Sequence, residues 1–160
     1  MLNNQELAKL FLSSGMTLAL AESCTGGMIA SRITDIPGCS SWFRGGVVAY
    51  HNDIKEKLLG VPAEILQRYG AVSEQVARNM AEGVRASLVS DIALAVTGIA
   101  GPDGGTVEKP VGTVFIAVAD RDGSFAEKYH FEGSRDMVRK NTTEEAFFLL
   151  KKRLLRPEYA

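Results

Sequence analysis

Apolar positions along the chain recur with two periods, and the period changes from segment to segment. Leu7, Leu10 and Phe11 fall at i, i+3 and i+4, which predicts a first helix capped by Asn4 and ended by Gly15. The short apolar run Met16 to Leu20 predicts a buried strand, and Met28 to Ile33 a second helix. Pro37-Gly38 marks a loop. Phe43 to Tyr50, with Val47-Val48-Ala49, predicts a strand. Asn52 then starts a short helix over 53–59 closed by Gly60, and Pro62 opens another over 63–69 closed by Gly70. The clearest helix begins at Ser73: Val76, Met80, Val84 and Leu88 recur every four residues, with Ala77 and Ala81 beside them. Ile92 to Val96 is continuously apolar, as a strand covered on both faces is. A glycine-rich loop over 97–110 leads to a strand, Val111 to Ala119. The turn Asp120-Arg121-Asp122-Gly123 then joins it to a hairpin partner, Phe125 to Phe131. A last helix runs from Asp136 to Leu155, where Thr142 with Glu145 marks a capping-box break and Pro157 lies beyond the end.

Helices alternating with strands, plus one late hairpin, predict a three-layer α/β/α domain with a mixed, mostly parallel sheet. At 160 residues, with no linker or repeat, the chain reads as one domain spanning 1–160. A net charge of −1 argues against a general nucleic-acid binder. The one basic cluster, Lys151-Lys152-Arg153 with Arg156, reads as the solvated last turn of a helix. Cys24, Cys39, His51 and His130 show no metal-ligand spacing, so neither metal nor cofactor is expected. A polar N-terminus and the lack of a membrane-length apolar run predict a cytoplasmic protein without a membrane partner.

Three segments carry candidate chemistry. Ala21-Glu22-Ser23-Cys24-Thr25-Gly26-Gly27 places a hydroxyl, a thiol and two glycines at a strand-to-helix turn, where free amides can hold an oxyanion or phosphate. The plain alternative is a Ser/Thr helix cap with glycines for tight packing. Tyr50-His51-Asn52-Asp53-Ile54-Lys55 repeats that layout. With Asn52 as cap, Lys55 stands in the first helical turn, where the dipole disfavours its charge. The alternative is an exposed amphipathic helix with solvated lysines. Thr97-Gly98-Ile99-Ala100-Gly101-Pro102-Asp103-Gly104-Gly105 follows a buried strand, where open sheets place ligands, but it is neither a Walker loop nor a dinucleotide fingerprint. Arg44, Arg135 and Arg139 are candidate phosphate clamps, and Trp42-Phe43 candidate core, ligand wall or subunit interface. His130, on a strand, reads as structural.

Taken in order, "AESCTGG", "GGVVAYHNDIKEKLLGV" and "AVTGIAGPDGGTVEKPVGTVFIA" resemble the CinA C-terminal domain family, over roughly Glu6 to Leu155. Its stand-alone members include nicotinamide mononucleotide (NMN) deamidases. No segment resembles the molybdopterin-binding-like domain of the longer members, so the chain is similar to the short form. The resemblance implies the α/β/α fold and hydrolysis of the NMN carboxamide to nicotinic acid mononucleotide and ammonia, in pyridine nucleotide salvage. It implies Ser23 as nucleophile with Lys55 and Tyr50 assisting. In that scheme Lys55 takes the hydroxyl proton and Tyr50 orients the amine or relays the proton. Amides near Cys24, Thr25, Gly26 and Gly27 hold the oxyanion, Thr97, Gly98 and Gly101 shape the nucleotide pocket, and Arg139 meets the phosphate. A homo-oligomer is expected by the same analogy and from Trp42-Phe43 on the surface. Two rivals stay open: an amidase acting on another nucleotide amide through Cys24, with His51 as base, and a non-catalytic nucleotide-binding or regulatory module.

Overall fold

The computed structural model describes residues 4–157. The elements in chain order are α1 (Asn4–Ser14), β1 (Leu18–Glu22), α2 (Met28–Thr34), a 3-10 turn (Cys39–Ser41), β2 (Phe43–Val48), α3 (Asn52–Leu59), α4 (Ala63–Tyr69), α5 (Glu74–Ser87), β3 (Ile92–Gly98), β4 (Thr113–Asp120), β5 (Gly123–His130) and α6 (Arg135–Leu154). The five strands form one sheet in the order β2-β1-β3-β4-β5. β1 pairs parallel with β2 and with β3, whereas β3–β4 and β4–β5 are antiparallel. Four strands therefore run one way and β4 alone opposes them, which is the mixed, mostly parallel sheet the alternation of elements predicts.

The strands alternate large and small apolar residues, and the alternation sorts the two faces. Leu18, Leu20, Ile92, Leu94, Val96, Ile116 and Val118 point to one side, where they pack with Leu7 and Phe11 of α1, Ile29 and Ile33 of α2, and Phe147 and Leu150 of α6. Ala19, Ala21, Ala93, Ala95, Ala117 and Ala119 point to the other, under Val76, Ala77, Met80, Ala81 and Val84 of α5. Alanines let α5 lie close to the sheet, and Gly83 lets α3 approach it: a Cβ there would stand 1.8 Å from the Leu59 carbonyl oxygen.

Several local expectations shift. β1 continues through Ala21 and Glu22, because Glu22 finds buried partners rather than solvent. Asn4 is already within α1, and its Oδ1 accepts from Arg32 Nε at 3.1 Å. α6 does not break at Thr142, whose hydroxyl donates to the Val138 carbonyl at 2.7 Å; its cap is Ser134, which accepts from the Met137 amide. Arg153 is not solvated: it is 5% exposed and pairs with buried Asp120. Trp42 is 3% exposed and stacks on Phe11 with ring centres 4.7 Å apart, so it belongs to the core and offers no subunit interface. His130, at the end of β5, is exposed. Among the described residues no helix is long and apolar enough to cross a membrane.

Candidate active site

β1 and β3 are parallel neighbours, so their C-terminal ends open at the same place. The chain leaves β1 into the Ser23 turn and β3 into the glycine loop. Ser23 stays tied to the sheet, its amide donating to the Val96 carbonyl at 3.1 Å. On the other flank the Ala49 amide donates to the Glu22 carbonyl at 2.8 Å, which brings the end of β2 beside the same turn. His51, not Asn52, takes the cap position of α3, with its carbonyl accepting from the Lys55 amide. Lys55 is therefore the fourth helical residue rather than the third, still in the first turn, and its side chain runs back under the turn.

The Lys55 amine is enclosed, the residue being 1% exposed. Nζ lies 3.2 Å from Ser23 Oγ, 2.9 Å from the Ala49 carbonyl oxygen and 3.1 Å from that of Tyr50. Burial holds its pKa below the ordinary lysine value. A neutral amine has two N–H groups and one lone pair. In that form the two carbonyls match the N–H groups and the lone pair is left for the Ser23 hydroxyl, whereas the protonated amine donates to Ser23 Oγ as well. Asp53 and Glu56 do not spoil this. Asp53 faces outward to His51 and Lys57, and Glu56 is exposed.

Cys24 lines the same pocket but is poorly suited to attack. Burial pushes its thiol up to about 12, so the thiolate that attacks is scarce at neutral pH. His51 does not serve it: the ring is 83% exposed and its Nδ1 pairs with Asp53.

The pocket is about 260 Å³ and is lined by Ser23, Cys24, Tyr50, Lys55, Thr97, Gly98 and Gly101, with Asn52, Ala71, Val72, Ile99, Ala100, Asp103, Gly104 and Arg135. Gly98 is required by space: a Cβ would stand 2.7 Å from Val114 Cγ2 and 3.2 Å from Cys24 Sγ. Thr97 donates to the Ala71 carbonyl at 2.8 Å, which holds the α4–α5 connection as a pocket wall. A larger depression, about 890 Å³, lies between α1, α2 and α6, away from the Ser23–Lys55 pair.

Thr25, Gly26, Gly27 and Arg139 are not on the pocket wall. The Gly26 amide donates to the Ser23 carbonyl and the Gly27 amide to Glu22, so neither is open to an oxyanion. Arg139 donates to the Cys24 carbonyl (3.2 Å) and the Thr25 carbonyl (2.9 Å) from behind the turn. The guanidinium at the pocket is that of Arg135, which donates to the Gly101 carbonyl at 2.7 Å and to the Tyr50 hydroxyl at 2.9 Å. Tyr50 thus meets the Lys55 amine through its carbonyl, while its hydroxyl stands at the mouth beside Arg135. Arg135, not the expected Arg139, is the α6 arginine at the pocket, and the buried contacts of Glu22 leave no mark in the apolar pattern. The signal available for Arg135 was its place one residue after the Ser134 cap, which sets it at the head of α6 facing the glycine loop.

Among the described residues no His, Cys, Asp and Glu side chains gather into a metal-binding group. The fold and the site together define an open α/β domain with a serine–lysine pair at the carboxyl ends of its central parallel strands. A model of the CinA C-terminal domain matches residues 3–154, and the chain belongs to that family. A CinA-like protein of Geobacter metallireducens is 58% identical over 149 residues, which are 93% of this chain and 36% of that protein. The chain thus spans about a third of the length of the curated relatives it matches. Among solved structures, competence/damage inducible protein CihA from Agrobacterium tumefaciens is 39% identical with a TM-score of 0.90, covering 96% of this chain and 95% of that one. The competence damage-inducible protein A from Klebsiella pneumoniae is 33% identical with a TM-score of 0.92, covering 96% of each chain.

Proposed function

We propose that this domain hydrolyses the carboxamide of NMN to nicotinic acid mononucleotide and ammonia, a step of pyridine nucleotide salvage. The observation that carries the reading is the Lys55 amine, buried and held by two carbonyls with Ser23 Oγ as its third neighbour. A binding module has no need of a buried amine poised on a hydroxyl. The choice of NMN among amides comes from family resemblance.

In this mechanism the Ser23 Oγ–carbon bond forms as the hydroxyl proton passes to Lys55 Nζ. The Cys24 amide, next to the nucleophile in a residue that lines the pocket, serves in this reading as an oxyanion donor. The carbon–nitrogen bond then breaks, and Lys55 returns the proton to the leaving ammonia. Water attacks the acyl-enzyme with Lys55 again taking its proton, and Ser23 recovers that proton as the acid is released. The anionic end of the substrate faces Arg135. Glycines 98 and 101 let the loop backbone close on the nucleotide.

Ammonia release from NMN by the purified protein, beside Ser23→Ala, tests this. Release by the wild type alone supports it. Release by both removes Ser23 as nucleophile. Thermal stabilisation by NMN with no ammonia from either protein overturns the enzyme reading in favour of a binding module.

A further inference from the structure

The turn around Ser23 is held by two opposite charges that do not reach the pocket. A helix start leaves amides without intrahelical partners, and such amides ordinarily await an external anion. Here the chain's own Glu22 fills the place. Its Oε2 accepts from the Thr25 hydroxyl (2.6 Å) and from the amides of Gly27 and Ile29 (3.1 Å each), and its Oε1 from the Ala30 amide (2.8 Å). Glu22 is 1% exposed, and a carboxylate so buried is tolerated only when its oxygens are saturated with donors. On the opposite side Arg139 takes the carbonyls of Cys24 and Thr25. Thr25 joins the two, its hydroxyl on the anion and its carbonyl on the cation. Capping a seven-residue helix needs one or two acceptors, not four donors on one carboxylate and a guanidinium on the same turn's carbonyls.

We propose that Glu22 and Arg139 are positioning residues that clamp the nucleophile turn from its donor and acceptor sides and hold Ser23 Oγ in line with the Lys55 amine. This rests on the Ser23–Lys55 reading of the site. Neither residue touches substrate, so each acts on the rate of the chemical step and not on substrate affinity.

Two substitutions test it. Glu22→Gln keeps the size but replaces an accepting oxygen by an NH2 that can only donate, facing N–H groups. Arg139→Gln removes the guanidinium fork. For each, kcat and KM for ammonia release from NMN are measured, together with the rate of Ser23 labelling by a fluorophosphonate, the pH profile and the thermal melt. The expected result is folded protein in which kcat and labelling both fall about tenfold or more, KM stays within about threefold, and the pH profile keeps its midpoint because Lys55 is untouched. A lowered melting temperature with kcat and labelling unchanged means capping alone and overturns the proposal. A raised KM with unchanged kcat in Arg139→Gln makes Arg139 a substrate ligand and overturns it as well. If the wild type labels at Ser23 but releases no ammonia from NMN, the substrate assignment falls while the labelling rates still decide the clamp. A wild type unlabelled at Ser23 overturns the clamp itself. If Glu22→Gln does not fold, Arg139→Gln and Thr25→Val carry the test by the same criteria.

Discussion

Replacing Lys55 by arginine or methionine separates what its charge does from what its lone pair does. At the ordinary lysine value of 10.5, about one amine in three thousand would be neutral at pH 7. Each unit of depression multiplies that fraction by ten and corresponds to about 1.4 kcal/mol of disfavoured charge. The dipole of α3 supplies only about 0.3–1 kcal/mol in its first turn, less than one unit. Burial is the larger cause, with Lys55 1% exposed. The opposing influence is Cys24, but its thiol keeps its proton up to about 12 and so adds no negative charge near neutrality. Log kcat/KM for ammonia release should therefore rise with slope one as pH rises toward the Lys55 pKa, then level off. Lys55→Arg retains a permanent cation and Lys55→Met retains neither charge nor lone pair. Both should lose about 10²–10⁴ in rate and the rising limb with it. A wild-type profile that is flat from about pH 5 to 9, or a methionine variant within about tenfold of wild type, would refute the general-base assignment.

The same depressed pKa fixes the sign of a stability effect. The unfolded lysine keeps its proton up to 10.5, whereas the folded one gives it up earlier. Between those two values the unfolded state holds more protons, so stability rises with pH across that window, and below it the burial penalty is fully present. Urea titrations over a pH series should show this rise in the wild type and not in Lys55→Met.

Cys24→Ala removes a thiol whose pKa is pushed up to about 12, and ammonia release should stay within about fivefold of wild type; loss of activity with folded protein would make the thiol the nucleophile. Arg153→Met strips the buried guanidinium from Asp120 and should cost about 3–5 kcal/mol in urea unfolding, and a change below about 1 kcal/mol would show the pair to be dispensable. Gly98→Ala sets a Cβ 2.7 Å from Val114 Cγ2 and 3.0 Å from the Thr113 carbonyl oxygen. It should cost about 1–3 kcal/mol and slow turnover by displacing Cys24, so a variant with wild-type melting and activity would show that the loop yields freely.

The order of elements was legible because the apolar periods are clean: Val76, Met80 and Val84 are all buried on α5, and Ile92 to Val96 are all buried in β3. What periodicity does not carry is the partner of a charged residue. Glu22 looks like the first polar residue of a turn, yet it ends β1 with its carboxylate under four donors. Arg153 looks like a solvated helix end, yet Asp120, 33 residues away in sequence, draws it inside. The choice between the two candidate arginines of α6 turns on the same thing. Arg135 and Arg139 differ by one helical turn, and only the tertiary path of the glycine loop decides that the first meets the pocket and the second the back of the Ser23 turn.

The topology supplies the site with more than a location. The chain goes from β1 to β2 through α2 on the large-residue face, then returns past β1 to β3 through α3, α4 and α5, with α5 on the alanine face. The direction of travel reverses at β1, and the crevice at the carboxyl ends of the strands on either side of such a reversal is where open α/β sheets bind ligands. Ser23 emerges at that crevice from β1 and Thr97–Gly101 from β3. Lys55 arrives from the β2 side, because three residues separate the end of β2 from the start of α3 and the Ala49 amide is bonded to the Glu22 carbonyl. The alanine face then has a consequence for chemistry as well as for packing. The small side chains let α5 sit close to the sheet, Gly83 lets α3 close on α5, and Lys55 of α3 is 1% exposed. Larger residues at Ala19 or Ala21 would lift α5 from the sheet and ease the burial that holds the Lys55 pKa down. The packing that brings the helices together is thus part of the same burial that holds the Lys55 pKa below its ordinary value.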